Sequence, residues 1–333
     1  MAEEQKVAII MSNMAQIGKF VISVDHEFAW GYADRDLSLM DEKRIREEVV
    51  IVRRLLLLFE KYNIGVTWAI VGHLIDRGCP WGEDGTPHPE YPRPVHKNEK
   101  KDWFRNHPTK HEYRDTLWYD AENLASMIRA SKAEHDIASH SYAHVLYDEE
   151  NTNEESIKAD LKNLGRVHRV HDVPLTSFIF PRNVEGYHRH LKVNGFTNYR
   201  GNSAKWYDNY SGVVKRAAHL IDYYLPVGRV VDPCHTVHGL VDVPDSMLLL
   251  GRNGARKYVT KKAMVRKAER GLDLAAKKGK VFHLWFHPSN FSYDTNTQFE
   301  ILEDILIKAN RMKEDGSLVI QTMEQVAEGC ARK

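Results

Sequence analysis

The sequence predicts an α/β fold: a distorted (β/α)7-type barrel of parallel strands, carrying one aromatic-rich insertion. Three observations lead there. Short β-rich apolar runs alternate with amphipathic helical stretches along nearly the whole chain, the order that builds a parallel sheet covered by helices. The run Val66–Val71 is apolar without alternation, as a strand buried on both faces requires. Finally, successive expected strands end in chemically loaded residues: Asp25/Glu27, His140/His144, Arg182 and His287. In α/β barrels the C-terminal strand ends share one site.

Bulk properties agree with one barrel. The 333 residues suit a single domain, 1–333, since such barrels run to about 250 residues before insertions. Hydrophobic residues make up 42%, enough for a sizeable core. Lys+Arg 47 against Asp+Glu 46 leaves a net charge of +1, which excludes a global field drawing the chain to nucleic acid. No apolar run approaches the roughly 18 residues of a membrane span. Met1–Met11 carries Glu3 and Glu4 before a short apolar run, unlike a secretion signal, so a cytoplasmic protein is expected. Cys79, Cys234 and Cys330 are scattered without CxxC spacing, which argues against a disulfide framework.

In chain order, Lys19–Val24 reads as a strand leading into Asp25-His26-Glu27. Alternation puts Asp25 and Glu27 on one face and His26 on the other. Two neighbouring carboxylates are costly to bury without a cation beside them. Asp41 is a helix cap, followed by the core stripe Ile45, Val49, Val52, Leu56 and Phe59, with Asn63 and Gly65 as the stop. The segment at about 78–119 breaks the alternation with prolines, many aromatics, and His88, His96, His107 and His111. A long irregular segment of this kind is usually functional. Aromatic faces beside polar groups suit sugar rings, packing of an insertion or a subunit contact, so a homo-oligomer stays open. Asp120–Ser131 reads as a helix.

Ile137–Ser139 is a short strand running into His140 and His144. Imidazoles four apart meet if the chain turns helically there, and two neutral imidazoles are good zinc ligands. Ile157, Leu161, Leu164, Val167 and Val170 mark a helix; Leu175–Phe180 is a strand stopped by Pro181-Arg182-Asn183. A short helix to Val193, a Gly195 cap and the strand Phe196–Tyr199 follow. Within 222–245, a region without clear periodicity, Gly239–Pro244 resembles a strand. Thr260 caps a basic helix through Lys278, Lys280–Phe286 is a strand ending at His287-Pro288, and Gln298–Met312 is a helix before the last strand, Leu318–Gln321.

With those strand ends in hand, the chain resembles the NodB-homology polysaccharide deacetylases, carbohydrate esterase family four, over roughly Lys19–Ala327. Glu134–His144 is similar to the family's second motif, which supplies two metal-binding histidines. Phe282–Pro288 resembles the fifth motif with its catalytic histidine, and Ser317–Val326 the closing strand and helix start. The first motif departs: Asp25-His26-Glu27 spaces its acids by one residue, as a subset of the family does. The third motif, Phe180-Pro181-Arg182-Asn183, reverses the usual Arg and Pro. The fourth motif, whose acid partners the catalytic histidine, has only Asp242 as a candidate.

The resemblance implies that Glu27, His140 and His144 hold one divalent metal, zinc first, with nickel, cobalt or iron as alternatives. It implies Asp25 as catalytic base, His287 as acid on the leaving amine, and Arg182 orienting Asp25. Trp30, Tyr142, Phe180 and Trp285 would contact substrate. The expected reaction removes an N-acetyl group from an amino sugar or sugar conjugate, a precursor or component of a surface polysaccharide, with a bell-shaped pH dependence. Two other readings stand beside it: a hydrolase of a non-sugar amide (a formamide or ring ureide), and a carbohydrate-binding protein with a decayed site.

Overall fold

A computed structural model describes residues 17–35, 37–76, 79–93, 103–108, 117–119, 123–150 and 152–331. The N-terminal stretch, and His96, His111, Tyr113 and Asp120 of the insertion region, lie outside the described residues. The elements are β1 (Gly18–His26), α1 (Glu42–Tyr62), β2 (Thr67–Ile70), α2 (Gly72–Ile75), α3 (Leu124–Ala130), β3 (Asp136–Ser139), α4 (Glu154–Val170), β4 (Ser177–Ile179) and α5 (His188–Val193). They continue with β5 (Asn198–Arg200), α6 (Gly212–Asp222), β6 (Cys234–His235), β7 (Val241–Asp242), β8 (Met247–Leu248), α7 (Lys261–Lys278), β9 (Val281–Phe286), α8 (Thr295–Glu314), β10 (Leu318–Ile320) and α9 (Met323–Ala331).

The strands form one sheet in the order β6-β7-β5-β4-β3-β2-β1-β9-β8, with β10 beside the start of β1. The β6–β7 pair is antiparallel, and every other strand pair is parallel. The sheet curls into an α/β half-barrel, the architecture the strand–helix alternation predicts. Among the described residues no helix is long and apolar enough to cross a membrane.

Local chemistry accounts for the element ends. The Asp41 side chain accepts from the Arg44 backbone N–H, and Asn63 closes α1 in the left-handed conformation at φ 48. Thr260 accepts from the Ala263 N–H at 3.2 Å to start α7, and Gly279 ends it at φ 65. The expected strand Phe196–Tyr199 begins and ends later, as Asn198–Arg200, which matters below. The sequence reading missed α6, β6 and β8. Both strands are two residues long, too short to show a period.

The two faces of the strands have different jobs. Phe20, Ile22 and Val24 of β1 point outward into the large core shared with α1, α7 and α8. Val21 points inward and meets Ala69, Ala138, Ile179 and Val281, while Met323, Val326 and Ala327 of α9 plug the same space. This is the period-two alternation of a strand. It leaves the inner positions nearer the C-terminal ends for polar residues.

Candidate active site at the barrel mouth

Going up the inner face from that apolar plug, the side chains turn polar in layers. The first layer is Ser23, His283 and Arg200: His283 Nε2 lies 2.9 Å from Ser23 Oγ, and Arg200 donates to the same oxygen at 2.9 Å. His283 is buried and pushed down to about 4, chiefly by burial, so it sits there as a neutral hydrogen-bonding ring. Above it are Asp25, Glu27, His140, His144 and His287, gathered from β1, β3 and β9. The shared face of Asp25 and Glu27 follows from alternation, and His26 falls on the opposite side, packed 4.6 Å from the Phe28 ring.

Asp25 is 3% exposed, and Arg200 meets it with a two-pronged grip: NH1 to Oδ1 at 2.7 Å and NH2 to Oδ2 at 2.7 Å. Charge-assisted paired hydrogen bonds of this kind are among the strongest in proteins. Burial pushes the Asp25 carboxyl up, but the Arg200 guanidinium overcomes it and holds the group below its usual range. The sequence reading gave this task to Arg182, and the structure corrects it. Arg182 follows Pro181 in a left-handed conformation, φ 54. Its side chain therefore runs along the rim to Asp34 (Nε–Oδ2 2.7 Å) and to the Gly31 carbonyl (2.9 Å). Its neighbour Asn183 does reach the site, accepting from Arg200 NH2 at 2.9 Å.

Glu27 is the hub. Its Oε1 lies 3.0 Å from His140 Nε2, 3.3 Å from His144 Nε2 and 3.3 Å from His287 Nε2. His140 Nδ1 sits 2.8 Å from the Ile179 carbonyl. A carbonyl only accepts, so Nδ1 carries a proton, and Nε2 is the ring atom turned to the carboxylate. Burial drives the His144 imidazole below its usual range despite Glu27, and among the described residues its Nδ1 has no hydrogen-bond partner. Two imidazole nitrogens and a carboxylate oxygen converge here, an arrangement that suits a cation among them. Glu27, His140 and His144 fit a divalent metal, one oxygen and two nitrogen donors with room for further ligands.

The backbone around this hub is constrained. His140 and His144 do not meet through a helical turn, as the sequence reading supposed. The chain instead reverses with Ser141 at φ 62 and His144 at φ 56, bringing the rings to 5.2 Å. Phe28, Arg182 and Asn183 on the same rim also have positive φ. Such conformations cost about 1–3 kcal/mol each and cluster at functional sites. Asp160 of α4 supports the reversal, accepting from the Tyr142 N–H (3.0 Å), the Ala143 N–H (3.2 Å) and Ser141 Oγ (3.0 Å). The sequence carried a signal for it: an acid set among Ile157, Leu161 and Leu164, on the apolar side of a helix. Gly31 is required by close approach, since a Cβ there would stand 2.1 Å from Glu27 Oε2.

The expected substrate contacts need correction. Trp30, Tyr142 and Phe180 are fully buried. Trp30 donates to the Trp118 carbonyl, Tyr142 to Asp76, and Phe180 packs on Phe178 and Tyr147. Trp30 and Tyr142 pack on the His73 ring instead. Trp285 lies at the site itself, under the Arg200 guanidinium (4.4 Å) and 5.6 Å from the His287 ring. Asp242 is not the partner of His287: it lies across β7 against Gly201 and is pushed up to about 7, by burial first and by Glu185. His287 Nε2 faces Glu27 and, at 3.9 Å, Asp25. Burial lowers the His287 imidazole, but Glu27 and Asp25 outweigh it and raise the group above its usual range. The buried acid on this side is Asp245, which accepts from Trp285 Nε1 at 3.1 Å and from Lys205.

No protein-family model and no curated protein matches the sequence. Solved structures do. A protein from Mycobacterium smegmatis assigned as a polysaccharide deacetylase superposes with a TM-score of 0.62 at 16% identity, over 95% of this chain and 90% of its own. The chain has the polysaccharide-deacetylase fold. A GH57-type branching enzyme from Pyrococcus horikoshii superposes with a TM-score of 0.52 at 12% identity, over 93% of this chain and 70% of its own. The deacetylase fold is thus similar to that of an enzyme of a different activity, and the choice of chemistry falls to the side chains at the mouth.

Proposed function

We propose that the chain is a metal-dependent N-deacetylase of the NodB-homology family, acting as one catalytic domain on an N-acetylated amino sugar of a surface polysaccharide or its precursor. One observation carries the reading: a buried carboxylate, Asp25, held ionised by Arg200, stands beside a Glu-His-His ligand set and faces a histidine from the other side.

A divalent ion held by Glu27, His140 and His144 supplies Lewis acidity at the acyl group; zinc suits these donors, and nickel, cobalt and iron are the alternatives. Asp25 takes a proton from the attacking water. Arg200 keeps Asp25 ionised and fixes its plane. As the C–N bond breaks, His287 Nε2 gives its proton to the departing amine. Acetate and a free amino sugar leave, the proton on Asp25 returns to solvent, and His287 takes one up from solvent to restore the starting state. Trp285 forms one wall for the sugar.

The test is a panel of N-acetylated sugar oligomers and nucleotide-linked N-acetyl sugars, with acetate and free amine both measured. Equal release of the two supports the reading. Formate or a ring-opened acid as the sole product from a wider amide panel, with no acetate from any sugar, overturns it.

A further inference from the structure

A second convergence of ligand atoms lies outside the barrel mouth. His73 is on α2, just past the end of β2; Cys79, His88 and His107 come from the insertion. His73 Nε2 lies 2.8 Å from His88 Nε2 and 3.1 Å from His107 Nε2. Cys79 Sγ lies 3.2 Å from His88 Nε2 and 3.4 Å from His107 Nε2. All of these atoms fall within 4.8 Å of one another. None belongs to the site described above. We propose that His73, Cys79, His88 and His107 form a closed zinc-type site that ties the insertion to the end of β2.

The dimensions match. Zinc bonds of about 2.0 Å to nitrogen and about 2.3 Å to sulfur set tetrahedral edges of about 3.3 Å between nitrogens and about 3.5 Å between nitrogen and sulfur. The four observed contacts, 2.8 and 3.1 Å between nitrogens and 3.2 and 3.4 Å between nitrogen and sulfur, are shorter than these edges by about 0.1 to 0.5 Å. Proton arithmetic points the same way. His107 Nδ1 is 2.8 Å from the Pro108 carbonyl, so the proton is there and Nε2 of the neutral ring has one lone pair for two neighbours. His73 Nε2 faces two imidazoles and has a proton or a lone pair, never both. Unbranched hydrogen bonds cannot satisfy the ring of contacts, whereas one cation uses every lone pair together. The Pro108 carbonyl then serves as the outer partner that fixes the ligating nitrogen.

The surroundings fit a structural ion. Trp30 packs on His73 at 4.4 Å, Phe104 stacks on His88 at 5.0 Å and Trp81 meets His107 at 5.2 Å. Those rings shield the ion from water. With four protein ligands no position is left for a substrate. The described part of the insertion has little regular structure to hold it, a Trp81–Pro87 bridge and the 3-10 turn Trp103–Asn106, so a metal staple supplies what the backbone does not.

Cobalt(II) distinguishes the two centres, because a thiolate ligand produces a near-ultraviolet charge-transfer band and the barrel mouth contains no thiol. The full chain is stripped with chelator, reloaded with cobalt, and compared with Cys79→Ser and with His140→Ala/His144→Ala. The wild type should take up about two ions per chain and show the thiolate band. Cys79→Ser should lose the band and one ion, and the double histidine variant should keep the band and lose the other ion. In that double variant, which retains only the insertion site, stripping should lower Tm by about 5 °C or more. A cobalt-loaded wild type without the band, or a band that persists in Cys79→Ser, overturns the proposal, as does a Tm unmoved by stripping. None of these outcomes depends on deacetylase activity.

Discussion

The barrel mouth and the insertion both gather histidines, but with different companions. At the mouth the histidines share two carboxylates, and the cluster opens to solvent: the Glu27 side chain is 16% exposed and that of His287 27%. In the insertion the companion is a thiol and no carboxylate belongs to the set; His73 and His88 are buried, and Cys79 and His107 half-buried. Carboxylates and access suit proton transfer and an exchangeable ligand. A soft donor and a full set of four protein ligands suit a permanent ion. The donor set, more than the presence of histidines, separates a reacting centre from a holding one.

Variants can sharpen that contrast. The largest effect is expected from His140→Ala, which should abolish acetate release and remove the mouth ion while the thiolate–cobalt band stays; loss of the band together with the activity would mean that the two clusters are not separate. Next comes Arg200→Met. It strands Asp25 as a buried charge, and breaking such a pair costs about 3–5 kcal/mol, so denaturant unfolding should register a loss of that order. Arg182→Met, whose half-buried partner Asp34 is on the rim, should cost less, about 1–2 kcal/mol. Equal losses would argue against Arg200 as the residue that holds Asp25. Gly31→Ala is milder. Its methyl displaces Glu27 and should weaken metal binding at the mouth by about 10–100-fold, measured by chelator competition, with the insertion site unaffected.

What could be read in the sequence divides along the same physical lines. Strand–helix alternation and the shared face of Asp25 and Glu27 are local periodicities, visible along the chain. The convergence of His140, His144 and His287 was anticipated because His140 and His287 follow directly on strands, with His144 four residues after His140, where a barrel collects its strand ends. Arg200 was missed because its position depends on register: β5 extends one residue past its expected end, and Ile179↔Arg200 pairing places it on the inner face. Arg182 has a left-handed backbone, and its side chain runs to Asp34 instead. His88 and His107 stood in a segment without period, so nothing local linked them to His73 and Cys79. Trp30, Tyr142 and Phe180 were placed beside the substrate because they adjoin the motifs; their rings turned to the core instead.

The most direct measurement compares metal-loaded wild type with Asp25→Asn, assayed for bound metal and for acetate released from N-acetylated sugar oligomers. Asparagine is the same size and cannot accept the proton. The account predicts unchanged metal content and a fall in kcat of about 10²–10⁴-fold. An Asp25→Asn protein that keeps its metal and releases acetate at the wild-type rate would contradict it.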